Sequence, residues 1–133
     1  MISKPDGIAI PPEQRAQLRC ALDGALPREC CGVLLGGNGN GRVDVRYVVN
    51  TLNAATLPGG FSIPDHEMHR VRRLAARSGE PIVAIFHSHP GGSTELSDPD
   101  RTALAYSEWP WVIITQAARA DDVELRYHDI SHG

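Results

Sequence analysis

Two histidines stand two positions apart at the end of an apolar run. His87 and His89 follow Ile82–Phe86, whose length and β-branched content predict a buried central strand. Side chains two apart on a strand point to the same face, so both imidazoles can reach one metal ion. Asp100 follows in the first turn of a predicted helix. Two histidines and one carboxylate leave a fourth tetrahedral position open, as in catalytic zinc sites.

Hydrolysis at such a site also needs a base near the metal. Zinc lowers the pKa of water towards about 7, but a side chain must still accept the proton as the oxygen attacks a carbonyl. Glu29, Glu67 and Glu95 are all candidates by residue type. Position along the chain does not choose among them.

The spacing of these residues resembles a known family signature. The pattern His87-x-His89-x₇-Ser97-x₂-Asp100, preceded by Glu29 before a predicted strand, looks like that of the JAMM (MPN-plus) zinc metalloproteases. The likeness also includes two flanking stretches and covers about Ile10 to Tyr127. Those stretches, similar to the compact single-domain prokaryotic members, are Pro27–Gly36 and Phe61–Pro64.

The resemblance implies a role for each matching residue. It implies that His87, His89 and Asp100 hold one catalytic Zn²⁺. It also implies that Glu29 is the general base and later the proton donor, and that Ser97 hydrogen-bonds the oxyanion. Ser97 and Asp100 also fit a capping box, and the two roles are compatible because a capped helix points Asp100 reliably. The implied fold is an MPN/JAMM, cytidine-deaminase-like architecture.

Other residues of suitable type receive simpler interpretations. His66 and His69 are three apart instead of the four of an H-E-x-x-H motif, so we predict surface helix residues. His128 and His132 fall in an expected unordered tail and are assigned no role. The aromatic residues near the third helix are predicted to pack in the core, and the cysteines to be small buried residues without disulfides. These aromatic residues and cysteines are Tyr106, Trp109, Trp111, Cys20, Cys30 and Cys31.

The remaining chain predicts an α/β domain with a mixed sheet flanked by helices. Its 133 residues fit one domain, taken as 1–133 with a core of about 10–127. Helices are predicted over 11–26, 62–79 and 97–108, and strands over 31–35, 42–49, 81–86, 111–115 and 123–127. A glycine-rich connection is expected over 36–41 and an ordered surface loop over 50–63.

Charge and hydropathy limit the partners. A formal net charge of −3 gives no basic field for nucleic acid or anionic lipid. The absence of a long apolar segment and of a signal-peptide pattern leads us to expect a cytoplasmic protein.

The resemblance implies cleavage after the C-terminal Gly-Gly of a ubiquitin-like or sulfur-carrier protein, with groove residues near Gly59 and Gly60 or Ser93 and Thr94. Three alternatives stay open: a non-catalytic MPN-type scaffold, a peptidase of phage-tail assembly, and one of cell-wall processing. A homodimer is also left open.

Overall fold

A single mixed sheet organises the structure, which is a computed structural model describing residues 7–39, 41–56 and 59–130. Its six strands lie in the order β1-β3-β2-β4-β5-β6. The elements are, in chain order, β1 (Ile8–Ala9), α1 (Pro12–Ala25), β2 (Cys31–Gly39), β3 (Arg42–Thr51), α2 (Asp65–Ser78), β4 (Ile82–Ser88), α3 (Asp98–Leu104), β5 (Trp111–Gln116) and β6 (Val123–His128). This confirms the predicted mixed sheet with helices.

Strand β2 runs through the middle of the sheet. It pairs antiparallel with both β3 and β4, while β4 pairs parallel with β5. Its alternating side chains build two cores, because successive residues of a strand face opposite ways. Leu34 packs on the α1 side with Leu18 and Leu22, and Val33 packs on the α2 side with Val71. The central strand is therefore covered on both faces.

A glycine is required where the central strands approach most closely. A Cβ atom on Gly32 would lie 2.3 Å from the Val49 carbonyl oxygen and 2.5 Å from the Phe86 ring. A Cβ on Gly36 would lie 1.9 Å from the Asp44 carbonyl oxygen, beside a register shift in the β2–β3 ladder. Both positions therefore exclude a side chain.

Most predicted elements are found within a few residues of their expected ends. Pro11 and Pro12 start α1, and Gly79 ends α2 in the left-handed conformation with φ 74°. Among the described residues, no helix combines the length and apolar character needed to cross a membrane.

Four boundaries differ from the prediction. Strand β1 was not predicted, because two residues carry no periodic signal, and it is defined by parallel pairing with β3. Strand β2 continues to Gly39 instead of turning at Gly36. Helix α2 begins at Asp65 instead of residue 62, and Pro64 precedes it without a side-chain cap. Helix α3 ends at Leu104, and the chain then turns at Ser107, whose hydroxyl accepts the Trp109 backbone N–H and the Trp111 indole N–H.

Candidate metal centre

The two histidines stand at the C-terminal end of β4, with His87 inside the strand and His89 directly after it. His87 is fully buried, and the His89 side chain is 16% exposed. Their ring centroids lie 5.1 Å apart, as expected for alternate residues on one face. The His89 Nδ1 atom lies 2.7 Å from the Ser93 carbonyl oxygen, a contact that assigns the proton to Nδ1. Nε2 is therefore the ring nitrogen that faces Asp100, and it can bind a metal ion when it carries no proton.

The residue between the two histidines holds Glu29 beside them. The Ser88 hydroxyl accepts the Cys30 backbone N–H at 2.8 Å, and the Ser88 backbone N–H donates to the Cys30 carbonyl oxygen at 3.1 Å. These bonds fix the start of β2 against the end of β4. Glu29, which is 8% exposed, therefore reaches the histidines although the chain separates them by 58 residues or more.

Helix α3 supplies Asp100 through a complete capping box. The Asp100 backbone N–H donates to Ser97 Oγ at 3.2 Å, and the Ser97 N–H donates to Asp100 Oδ2 at 3.1 Å. Asp100 Oδ2 lies 3.1 Å from His89 Nε2, and Oδ1 lies 3.3 Å from His87 Nε2. The cap therefore directs this carboxylate at both imidazoles.

Four donor side chains from three segments of the chain thus converge. The ligand atoms of Glu29, His87 and His89 lie within 4.8 Å of one another, and Asp100 contacts both rings. Two three-residue donor sets are available, His-His-Asp and His-His-Glu. Among the described residues, both ring nitrogens of His87 lack an aligned hydrogen-bond partner. A buried imidazole of this kind, beside a carboxylate, fits a divalent cation such as zinc.

The two carboxylates of the cluster, Glu29 and Asp100, differ in pKa. Burial raises the pKa of Glu29 to about 7, with the charge of His89 lowering it and that of Asp100 raising it. Burial alone would raise the pKa of Asp100, but its contacts with His87 and His89 hold that pKa well below its usual value. Asp100 is therefore ionised at neutral pH while Glu29 exchanges a proton there.

The two imidazoles also differ. Burial lowers the pKa of His87, which keeps that ring neutral. The hydrogen bond with Asp100 raises the pKa of His89, and this outweighs the effect of burial. A neutral imidazole is the form that binds a metal.

The competing carboxylates lie in ion pairs elsewhere. Glu67 pairs with Arg70 on α2, and Glu95 pairs with Arg126 on β6. Of the three glutamates that the sequence left as candidates, Glu29 is the one whose carboxylate lies beside the histidines.

Several simpler predictions are confirmed and others are wrong. His66 and His69 are exposed on α2, and Trp111 is 4% exposed, as expected. Tyr106 is 87% exposed, because α3 ends before it, so it does not belong to the core. His128 is not in an unordered tail, since it closes β6 and its Nε2 lies 2.8 Å from the Thr94 carbonyl oxygen. His132 lies outside the described residues.

The cysteines divide in the same way. All three are free, as predicted. Cys30 and Cys31 are buried, whereas Cys20 is exposed on α1, contrary to the expectation.

Sequence reasoning missed three residues that hold the centre in place. Ser88 stands inside the His-x-His pattern, so its position was visible but its partner was not. Asn53 lies in the segment between β3 and α2, where the absence of a period gave no signal. Phe61 belongs to the stretch Phe61–Pro64 that resembles the family, but the resemblance assigned it no role. Phe61 stacks on His87, with ring centroids 4.3 Å apart and ring planes 16° apart.

A pocket of about 820 Å³ adjoins the centre. Phe61 and Trp111, which both contact the His87 ring, form the wall that the pocket shares with the cluster. Its other side includes Tyr106 and Trp109, so both of these aromatic residues line a pocket. None of the four donor residues lines this pocket, which the rings of Phe61 and Trp111 separate from His87.

Comparison with known domain families decides the relationship. The family described as prokaryotic homologs of the JAB domain matches residues 11–128. The chain belongs to this family. The match includes all four donor residues, so the predicted relationship is confirmed at the level of the JAB/MPN domain.

Solved structures support the same fold for this prokaryotic JAB domain. A protein of Desulfitobacterium hafniense has a TM-score of 0.78 and 25% identity, covering 90% of this chain and 82% of that one. A Salinibacter ruber protein has a TM-score of 0.57 and 21% identity, covering 89% and 78%. A JAB1/MPN domain protein of Archaeoglobus fulgidus has a TM-score of 0.56 and 14% identity, covering 94% and 92%.

One curated relative is a phage protein. The tail tip assembly protein K of Escherichia phage N15 is 30% identical over 89 residues, which is 67% of this chain. The aligned region is 33% of the phage protein. This JAB domain therefore spans about a third of that relative's length.

Proposed function

We propose that this JAB domain is a zinc-dependent peptidase or isopeptidase in which His87, His89 and Asp100 hold the ion and Glu29 carries the proton. The convergence of four donor side chains, one of them a buried imidazole without an aligned hydrogen bond among the described residues, carries the proposal. A zinc ion in such an open site makes a water molecule acidic near neutral pH and polarises a carbonyl group.

The protein's own groups supply the proton transfer. With its pKa raised to about 7 by burial, Glu29 can accept a proton at neutral pH and return it to a leaving amine. Asp100, whose pKa is held low, stays charged and suits a ligand. This difference supports assigning the base to Glu29 and the third ligand to Asp100.

Ser97 has a second part in the proposed reaction. Its Oγ accepts the Asp100 N–H, so the hydroxyl hydrogen is free to point outward. A hydroxyl donor beside the proposed ligand Asp100 can stabilise negative charge on the substrate oxygen.

For the substrate, we propose the C-terminal Gly-Gly of a ubiquitin-like or sulfur-carrier protein joined to a further residue. An extended strand without side chains can enter a narrow cleft and lie along a sheet edge. The pocket beside Phe61, which immediately follows Gly60, offers room for such a segment.

The test is the intact mass of a sulfur-carrier protein extended beyond Gly-Gly, after incubation with zinc-loaded enzyme. Loss of the extension with wild type, but not with Glu29→Gln, is expected. A chain that holds zinc and leaves every extended carrier intact would contradict this substrate.

The similarity to a tail tip assembly protein favours a second substrate, a polypeptide of a phage tail tip. Incubating a purified tail-tip polypeptide with wild type and with Glu29→Gln separates the two. Cleavage of the tail polypeptide alone would assign the domain to tail processing. A zinc-binding chain that cleaves neither would leave the scaffold alternative.

A further inference from the structure

The two imidazoles of the centre are oriented by different means. His89 donates from Nδ1 to the Ser93 carbonyl oxygen, the usual way in which a metal-bound histidine is held. His87 has no aligned hydrogen bond at either ring nitrogen among the described residues. Instead, Phe61 stacks on its face at 4.3 Å, and Trp111 meets it edge-on at 5.1 Å with planes 86° apart. Apart from the 3.3 Å approach of Asp100 Oδ1 to Nε2, the plane of His87 is therefore set by aromatic contact.

Phe61 is in turn held by one amide side chain. Asn53 Nδ2 donates to the Gly60 carbonyl oxygen, and Asn53 Oδ1 accepts the Ser62 backbone N–H, both at 3.0 Å. These partners stand on either side of Phe61. A further backbone bond, 2.8 Å long, joins Ala54 N–H to the Ser62 carbonyl oxygen.

The same amide also holds the segment that carries Glu29. The second Nδ2 hydrogen of Asn53 goes to the Glu29 carbonyl oxygen at 3.0 Å, and Oδ1 also accepts the Ala55 N–H at 3.0 Å. All four hydrogen-bonding positions of the amide are thus used. One side chain links the backbone of the proposed base to the loop whose aromatic ring orients a proposed ligand.

We propose that Asn53 and Phe61 are positioning residues that hold the His87 ring and Glu29 in a common geometry, an inference that rests on the proposed metal centre. Phe61 acts through the plane of His87. Asn53 acts through Phe61 and through the Glu29 backbone. Neither side chain reaches the reacting atoms.

The first test measures metal affinity without turnover. Apo protein is titrated with Zn²⁺ against a chromophoric chelator, and the Co²⁺-loaded protein gives a visible spectrum that reports ligand geometry. Phe61→Leu, which keeps apolar bulk but loses the flat face, is expected to bind Zn²⁺ about 10- to 100-fold more weakly and to change the Co²⁺ spectrum. Phe61→Tyr keeps the face and is expected to restore both.

The matched control is another aromatic residue away from the centre. Tyr47 on β3 is 50% exposed, and Tyr47→Leu is expected to leave Zn²⁺ affinity and the Co²⁺ spectrum unchanged. Wild-type affinity and spectrum in a folded Phe61→Leu protein would overturn the proposal, whereas failure of the wild type to bind Zn²⁺ would overturn the metal centre as well.

The second test uses coupling. Asn53→Ala removes all four bonds, and we expect it to weaken Zn²⁺ binding through Phe61 and to lower kcat further through Glu29. The loss of Zn²⁺-binding free energy in the double variant should then be smaller than the sum of the losses in Asn53→Ala and Phe61→Leu. Full additivity would mean that the two residues act separately. If Phe61→Leu does not fold, the Zn²⁺ affinity of Asn53→Asp, which keeps the acceptor and loses both donors, is measured instead. Weaker Zn²⁺ binding than wild type is expected, and wild-type affinity would overturn the proposal.

Discussion

Glu29 differs from an ordinary surface glutamate in two properties, its burial and its neighbours. With a pKa raised to about 7 by burial, it is the group of the cluster best suited to move a proton at neutral pH. We expect Glu29→Gln to retain Zn²⁺ and lower kcat by about 10²- to 10⁴-fold, the usual contribution of a general base. Zinc content and single-turnover hydrolysis measure the two effects separately. Loss of zinc together with activity would make Glu29 a ligand instead of the base.

The raised pKa of Glu29 also predicts how the metal-free protein responds to pH. Its folded pKa of about 7 lies above the ordinary 4.5, so the folded state binds more protons between these values. The stabilising contribution is therefore present below pH 4.5 and lost as pH rises through 7. Relative to Glu29→Gln, wild type should lose about 1–2 kcal/mol of unfolding free energy between pH 4.5 and 8, after allowance for solvent screening.

Urea unfolding with a chelator present measures this difference. Glu124, exposed on β6, supplies the control, and Glu124→Gln should follow the wild-type pH dependence. Parallel pH curves for wild type and Glu29→Gln would contradict the assignment of a raised pKa to Glu29.

At the scale of the element, α3 is a short helix whose cap and proposed chemistry share one residue. Ser97→Ala should cost about 1 kcal/mol, because the Asp100 N–H loses its acceptor, and should also lower turnover. Ser97→Asp keeps a capping acceptor but cannot donate to an oxyanion. We therefore expect Ser97→Asp to retain thermal stability and lose activity. Active Ser97→Asp enzyme would restrict Ser97 to capping.

Strand β2 has no room for a side chain at Gly32. Gly32→Ala places a methyl group against the Val49 carbonyl and the Phe86 ring, so we expect at least about 3 kcal/mol of destabilisation. Gly37, on the same strand, has no atom within 4 Å of an added Cβ, and Gly37→Ala should cost under about 1 kcal/mol. Chemical denaturation of both variants provides the comparison, and equal stabilities would refute the packing argument.

The sequence predicted best the elements that carry a local signal, either a pattern of apolar residues or a helix-capping motif. Helix α1 with its prolines, apolar β4 and the Ser97–Asp100 box are local patterns, and each was found. Strand β1 and the extension of β2 to Gly39 were missed because they are defined by pairing with β3. The two residues of β1 and the four-residue extension of β2 are too short to indicate by themselves which strand they pair with.

At the scale of the whole molecule, the proposed ligands were predictable from local sequence, whereas the residues that hold them in place were not. His87, His89 and Asp100 lie close together in sequence, so spacing alone suggested them. Glu29 needed the family pattern, because the Ser88–Cys30 bonds that bring it near join positions 58 apart. Asn53 was invisible for a similar reason, since its bonds reach back 24 residues to Glu29 and forward across a loop.

Zinc should stabilise the whole fold, because its donors come from β4, α3 and the start of β2. At a free Zn²⁺ concentration 100 times Kd, linkage contributes about 2.7 kcal/mol, which should raise Tm by roughly 10 °C in a chain of this size. His89→Ala should abolish the shift, whereas His66→Ala, an exposed histidine on α2, should keep it. The Tm shifts of Asp100→Asn and Glu29→Gln then distinguish the His-His-Asp donor set from the His-His-Glu set. Loss of the shift in Asp100→Asn alone assigns the third ligand to Asp100, and its loss in Glu29→Gln alone assigns Glu29 and removes it as the base.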